Sequence, residues 1–583
     1  MKNNSYFRKS DIYISLVKNR RLLFCAFLWG MPVAASFVLG WRLVLRGTVF
    51  GGGSAAAPVC GFLLFLVETA CLSVPAAALA ALILRGKKKG YSEEAEGETT
   101  DQCQYTAGQA WLFYAAVIFF CWMPVFLAYF PSVFAYDAEG QLYQVIANDY
   151  STHHPLLHTL FLGVFFRLGG AMGSYSAGMA VHSVVQMLLM AAAFGWALSY
   201  LYRRRIARWV RILLLLFYAF FPANSVLALS TTKDVLFSAL VLICTLCWYR
   251  MICDCGMRVG RKEQAVYIAF SVLMLLFRNN VVYAYVVSVP VLYIGLGKIE
   301  KSAEAGKKKL RDSVPARKVY LRMTLFILAL SAAGAFLLKA VTHAQSGSPR
   351  EMLSVPLQQM ARTRVEAEET LEPAMRQELE AYIPSEWIFA AYNPHLADPV
   401  KNRAVIHDNP KGLIVTWIKL GLQYPAIYID AFLDNSLGLW FLQDTSHAQI
   451  YGIGTESGFG YLSTDNRTMP AGCEIVEHSL LPGLRVFMEK LISDNEYGKI
   501  PVARILFAPA LYWWLLYFCI VTALYRKSYR ELLALVFPAA YYLTLLLSPT
   551  VLVRYMYPIM VTIPVILPCI MTGKMKTEGQ NIQ

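Results

Sequence analysis

The sequence predicts an all-α polytopic membrane protein of about twelve transmembrane helices, with both termini cytoplasmic and a mainly helical extracytoplasmic domain between helices 9 and 10. Three observations predict it. Hydrophobic residues make up 57% of the chain and charged residues only 16%, where a soluble chain carries about a quarter charged residues. The apolar residues fall in runs of about twenty, the length that crosses a hydrocarbon core at about 1.5 Å per residue. Lys and Arg collect in short loops on alternate sides of those runs, the positive-inside pattern. A β-barrel would instead show short alternating segments.

Taken in order, helix 1 spans 22–41 and helix 2 spans 58–84, joined by a Gly-rich outer loop near Gly51. Lys18, Arg20 and Arg21 before the first run could belong to a signal peptide; the length of the run favours a retained signal-anchor. The inner loop 85–109 is charged and reads as flexible. Helix 3, 110–130, runs outward and delivers the stretch 131–174 to the external face. Within it, 156–170 is apolar but short, and Pro155 suits a first helical position, so an interfacial helix is expected there. Helices 4 to 9 follow at 175–201, 211–229, 235–251, 264–277, 281–297 and 322–341. These segments make residues 1–341 an N-terminal transmembrane module.

Residues 342–502 form the external domain, with helix-like stretches at 356–367 and 369–382. The segment 411–433, interrupted by Pro425, reads as a helix on the bilayer surface or packed under the domain. The Gly-rich run 452–460 lacks a strand-then-helix context and reads as turns; Asn466-Arg467-Thr468 matches a glycosylation acceptor. Helices 10 to 12, at 503–524, 531–548 and 555–572, complete the C-terminal part, 503–583.

The net charge of +15 follows from topology and from contact with anionic headgroups, so no nucleic-acid partner is expected. The twelve cysteines lie mostly inside apolar runs, where they act as small hydrophobes. Cys253 and Cys255 are too few ligands for a metal site, and no disulfide framework is visible.

With this topology, ionisable residues gather at the external helix ends: Asp137, Glu139, His153, His154, Lys233, Asp234, Arg278 and Arg554. Charges near lipid are costly and face cavities or partners. Three cations could hold a phosphate, and the carboxylates could do acid–base work. Plainer readings stand beside these. Asp137 could be a helix cap, Lys233 and Asp234 a helix-end charge pair, and Arg278 and Arg554 snorkelling residues. His154 and His158, four apart, could share a helical face as metal ligands, or simply be polar interfacial residues.

The motifs Asp137-Ala138-Glu139 after an outward helix, His153-His154-Pro155-Leu156-Leu157 leading the interfacial helix, Thr232-Lys233-Asp234, and the late Arg554-Tyr555-x-x-Pro558 resemble the GT-C glycosyltransferases. The likeness is strongest to family 39, with its protein O-mannosyltransferases and lipid A aminoarabinose transferases. It is best over about 110–300 and the last helices. The chain departs from the pattern in splitting its acidic pair with Ala138 and in carrying a single proline after its histidines.

The resemblance implies an inverting transferase in the plasma membrane with an extracytoplasmic site. It would move a sugar from a polyprenyl-phosphate donor to a glycan, lipid or protein acceptor. Asp137 would be the general base, with Glu139 beside it orienting the acceptor or, with Asp137, binding a divalent ion such as Mg or Mn. Lys233, Arg278 and Arg554 would bind the donor phosphate, and His153, His154, Gln141, Asp234, Asn279 and Tyr555 would contact substrates. The competing function is a transporter or flippase of lipid-linked sugars, which would place charge near the midplane, often within internal repeats. A membrane scaffold would leave the external charges unexplained.

Overall fold

The structure, a computed structural model, describes residues 20–49, 57–85, 106–134, 136–255, 260–305, 315–347, 349–406, 410–443, 472–476, 478–492 and 496–573. Among those residues the chain is helical, with no strand and only isolated backbone bridges. The Gly-rich run 452–460 and Asn466 lie outside the described residues.

Eight helices are long and apolar enough to cross a membrane: Arg20–Arg46, Val59–Arg85, Ala107–Ala128, Tyr175–Arg203, Asp234–Asp254, Val281–Ser302, Ala316–Thr342 and Val553–Thr572. The chain is therefore a multi-pass membrane protein. Two further spans are bent pairs, Arg208–Phe220 with Pro222–Leu229 at 47° and Pro501–Phe507 with Pro509–Tyr525 at 69°. Counting each pair once gives up to ten spans among the described residues, against the twelve expected.

Proline explains both bends. It cannot donate to the preceding turn, and it drives the residue before it out of the helical region. Phe221 and Ala508 accordingly sit at ψ 118° and 120°. The expected span 264–277 is a 17-residue helix that opens on Arg261-Lys262-Glu263. The expected span 531–548 is divided into Tyr529–Ala534 and Val536–Leu545.

The last helix, Val553–Thr572, is tied in its first half to the first bent pair. Tyr218 donates from its hydroxyl to the Val561 carbonyl at 2.7 Å, and the Tyr557 hydroxyl donates to Asn224 Oδ1 at 2.9 Å. Both tyrosines are buried, so these bonds satisfy groups that would otherwise be orphaned. The other side of the bundle is closed by Arg204, which pairs with Asp254 at 2.8 Å and donates to the Gly573 carbonyl. Asp234 and Asp254 bound one span, so this lock and the Asp234 end lie about 30 Å apart at 1.5 Å per residue.

Residues 354–435 form a small helical unit with its own core, including Leu357, Met360, Leu379, Ile388, Val400 and Leu420. The expected stretches appear as Ser354–Glu366 and Pro373–Glu380. The 411–433 segment appears as Pro410–Gln423 and Pro425–Asn435, broken at Pro425. Leu413 and Leu420 face inward while Ile418 and Leu422 are exposed. The unit is stitched to the bundle at the Arg554 end: Asn435 donates to the Ser548 carbonyl and Ala397 N–H to the Pro549 carbonyl, both at 2.8 Å. Buried Arg362 bridges Asp434 and the Gly47 carbonyl, tying the unit to the end of the first helix. Beyond it the chain rejoins the bundle, where Leu439, Met488 and Tyr497 enter the main core.

Candidate active site

Two chain segments about a hundred residues apart are laid side by side before any charge is considered. Val133 N–H donates to the Leu229 carbonyl at 3.2 Å, and Thr231 N–H donates to the Val133 carbonyl at 2.9 Å. Gln186, from the Tyr175–Arg203 helix, donates to the carbonyls of Ala228 and Ser230 at 3.0 and 2.7 Å. Buried backbone groups at the end of the Pro222–Leu229 helix must find partners, and these contacts supply them. The result sets the start of the Tyr136–Ala147 helix beside the start of the Asp234–Tyr249 helix.

The charges then converge. Lys233 Nζ donates to Asp137 Oδ2 at 2.6 Å, and Arg554 donates to the same oxygen at 3.0 Å. Arg554 also donates to the Thr232 hydroxyl at 2.9 Å, and that hydroxyl donates to Asp234 Oδ2 at 3.2 Å. Asp234 lies 3.5 Å from Arg554 and is directly ion-paired with Arg278. The guanidinium carbons of Arg278 and Arg554 each lie 5.0 Å from the Tyr555 ring centre, so both cations are within reach of this aromatic. Arg278 can turn back onto Asp234 because its helix ends at Phe277 and its own backbone is extended.

Exposure divides the cluster into a buried floor and a more exposed rim. Asp234 and Arg554 keep 1% and 2% of their side-chain surface, while Lys233 and Asp137 keep 15% and 20%. Asp234 is thus the buried counter-ion of the arginines, and Asp137 is the more exposed of the two carboxylates. Burial pushes the Asp137 carboxyl up, but Lys233, Arg554 and His154 outweigh it and hold the group well below the ordinary carboxylate range. Burial and the Lys233 ammonium push His154 down to about 3, so its imidazole is neutral at physiological pH.

The remaining residues named from sequence are spread around this cluster. His153 is exposed and rests on His154, ring centres 4.5 Å apart. Asn279 is exposed and donates to the Thr152 carbonyl at 3.0 Å, fixing the loop that carries the histidines. Gln141 is fully buried as a strut: it donates to Thr159 at 2.8 Å and faces His158 Nδ1 at 3.2 Å, joining two helices behind the site. Glu139 lies two residues beyond Asp137 on the same helix, which puts it on nearly the opposite side.

A shared Asp137–Glu139 metal site does not fit that geometry. Asp137 Oδ2 is already taken by two cations. His154 and His158 do not share a helical face either, because the helix begins at Leu156 with Pro155 as its cap rather than its first residue. Among the described residues no group of three or more metal-ligating side chains occurs.

Thr232 entered the sequence argument only as part of the Thr232-Lys233-Asp234 motif, with no role of its own, yet its hydroxyl links Arg554 to Asp234. The run Ser230-Thr231-Thr232 before a helix start was the available signal, since such hydroxyls commonly bond locally at helix starts.

No curated protein and no solved structure matches the chain. A family of unknown function, DUF6020, matches residues 147–582. That stretch contains Lys233, Asp234, Arg278 and Arg554, whereas Asp137 precedes it. Because the match covers most of the chain, the protein belongs to the DUF6020 family.

Proposed function

We propose that the chain is a GT-C-like membrane glycosyltransferase. It takes a sugar from a polyprenyl-phosphate donor and passes it to an acceptor at the extracytoplasmic face of the plasma membrane. The observation that carries this reading is the meeting of Lys233, Arg278 and Arg554 with one reachable carboxylate, Asp137, at one end of a bundle of apolar helices. The resemblance to family 39 supports it, as does a separate helical unit seated at that end of the bundle. With the N-terminus cytoplasmic, the three spans before Asp137 would put this end outside.

The charge balance favours a monophosphate donor. Three cations against Asp137 and Asp234 leave the cluster one positive charge in excess. A prenyl-phosphate sugar is a phosphodiester with one negative charge and neutralises it. A diphosphate would overcharge a partly desolvated site, which is costly.

In the reaction, the acceptor oxygen bonds to the anomeric carbon as that carbon becomes oxocarbenium-like. The bond from the anomeric carbon to the phosphate oxygen breaks, and its electron pair stays on the phosphate. The acceptor's proton passes to Asp137. The phosphate gains one negative charge as Asp137 loses one, so the cluster stays balanced while the cations stabilise the leaving group. No step is routed through a metal.

Transport of a lipid-linked sugar is the second reading, favoured by the two bent helix pairs. Mass spectrometry of envelope glycans and prenyl-phosphate sugars, with and without the protein, separates the two. The transferase reading expects one decoration missing and its donor accumulated on the external side. Donor trapped on the cytoplasmic side supports transport, and an unchanged envelope removes both.

A further inference from the structure

The two carboxylates of the cluster do different work. Asp234 is buried beneath the arginines and pairs with Arg278, Arg554 and the Thr232 hydroxyl at once. It cannot leave without stranding two guanidiniums in a buried place. Asp137 touches the buried part of the cluster only through Arg554. It approaches from a separate helix, Tyr136–Ala147, through a single oxygen, and a fifth of its side-chain surface is exposed. That oxygen sits between Lys233 Nζ at 2.6 Å and Arg554 at 3.0 Å. A phosphate oxygen bound by the same two cations would need the same place. The two anions would lie within a few ångströms of each other, where like charges in a partly dry site repel strongly.

We propose that Asp137 is the resting occupant of the anion site, displaced from Lys233 and Arg554 by the incoming phosphate, so that donor binding is what frees this carboxylate to accept a proton. This rests on the glycosyltransferase reading and deepens it. At rest Asp137 is a poor base, because two cations stabilise its charged form. Once the phosphate has taken those cations, the carboxylate lies beside an anion and becomes a stronger base. The acid–base group is thereby switched on only when a donor is present. Water or an acceptor arriving alone meets a masked carboxylate.

The test is equilibrium binding of geranylgeranyl phosphate to the purified full-length protein in lipid nanodiscs. The proteins compared are the wild type, Asp137→Asn and Lys233→Met, with Asp137→Ala in reserve should the asparagine variant fail to fold. Removing an internal competitor raises affinity, so the Asp137 variants should bind about tenfold more tightly, the gain expected if the open site is populated about a tenth of the time. Lys233→Met should bind more weakly. Unchanged or weaker binding in the Asp137 variants, with binding still lost in Lys233→Met, overturns the displacement while leaving the anion site standing. Affinity indifferent to both positions shows that the phosphate binds elsewhere, which overturns the site and the displacement together.

Discussion

Asp137 and Asp234 are both carboxylates paired with arginine, yet replacing them should have different signatures. Asp137→Asn removes the proposed base and should lower sugar transfer by about 10²–10⁴-fold, the usual contribution of a positioned general base. Asp137 also stabilises the fold through Lys233 and Arg554, so the melting temperature should fall, but by less than in Asp234→Asn, because Asp137 and Lys233 keep part of their surface exposed. Asp234→Asn leaves buried cations uncompensated and should cost about 3–5 kcal/mol of stability, read as a clear drop in melting temperature. Full turnover in Asp137→Asn would remove that residue from the mechanism. A wild-type melting temperature in Asp234→Asn would show that the arginines do not depend on it.

Acid should weaken the same place. His154 stays neutral in the fold down to about pH 3, while the unfolded chain takes up its proton near 6.5. The unfolded state therefore binds more protons in that window, and stability falls as pH falls through it. Asp137, whose folded value lies well below 3.8, extends the loss below that pH. His154→Gln should remove the upper part of this decline in melting scans between pH 6.5 and 4. An unaltered decline would assign it to other groups.

That charged residues stand at the ends of apolar runs was legible in the chain. Their pairing was not, because it depends on distances between helices that sequence order does not give. Gln141 shows the limit. It lies one helical turn from Asp137, close enough to be expected at the substrate, yet it is swallowed between two helices. Thr232 shows the converse: a small hydroxyl with no charge carries the bond between Arg554 and Asp234.

Elements hold the site through close contacts that tolerate no side chain. The helices Leu156–Ala171 and Tyr175–Arg203 cross at Gly178, where an added Cβ would collide with the Phe165 carbonyl and the Gly169 backbone. Backbone cannot give way as a flexible side chain can. Gly178→Ala should therefore separate the two helices and cost about 1–3 kcal/mol, with lower transfer activity because the loop carrying His154 begins the first of them. A stable, fully active Gly178→Ala would show that the crossing is looser than described. Tyr557 and Asn224 act similarly on the other flank. Asn224→Leu leaves a buried hydroxyl unpaired at about 1–3 kcal/mol and loosens the helix that begins with Arg554.

Helix existence was readable from apolar runs, and the observed boundaries fall within a few residues of those expected at Leu156–Ala171 and Tyr175–Arg203. Bends were not read. Pro222 and Pro509 sit inside apolar runs that look continuous by composition, and only the lost backbone donor turns each into two helices.

At the scale of the whole molecule, two charged clusters sit at opposite ends of the bundle. The Arg204–Asp254 pair, closed over by the Gly573 carbonyl, is tied into the fold. The Asp137–Lys233–Arg554 group keeps part of its surface exposed, at the end of the bundle to which the helical unit is tied. That difference is why the second cluster, and not the first, is read as the reactive end.

The central claim is where the donor's phosphate sits. A cryo-EM map of the protein with a bound prenyl-phosphate sugar answers it. The account predicts phosphate oxygens within about 4 Å of Lys233, Arg278 and Arg554, with the Asp137 carboxylate turned from Lys233 toward the anomeric carbon. Phosphate density anywhere else, with the Asp137–Lys233 pair intact, would contradict it.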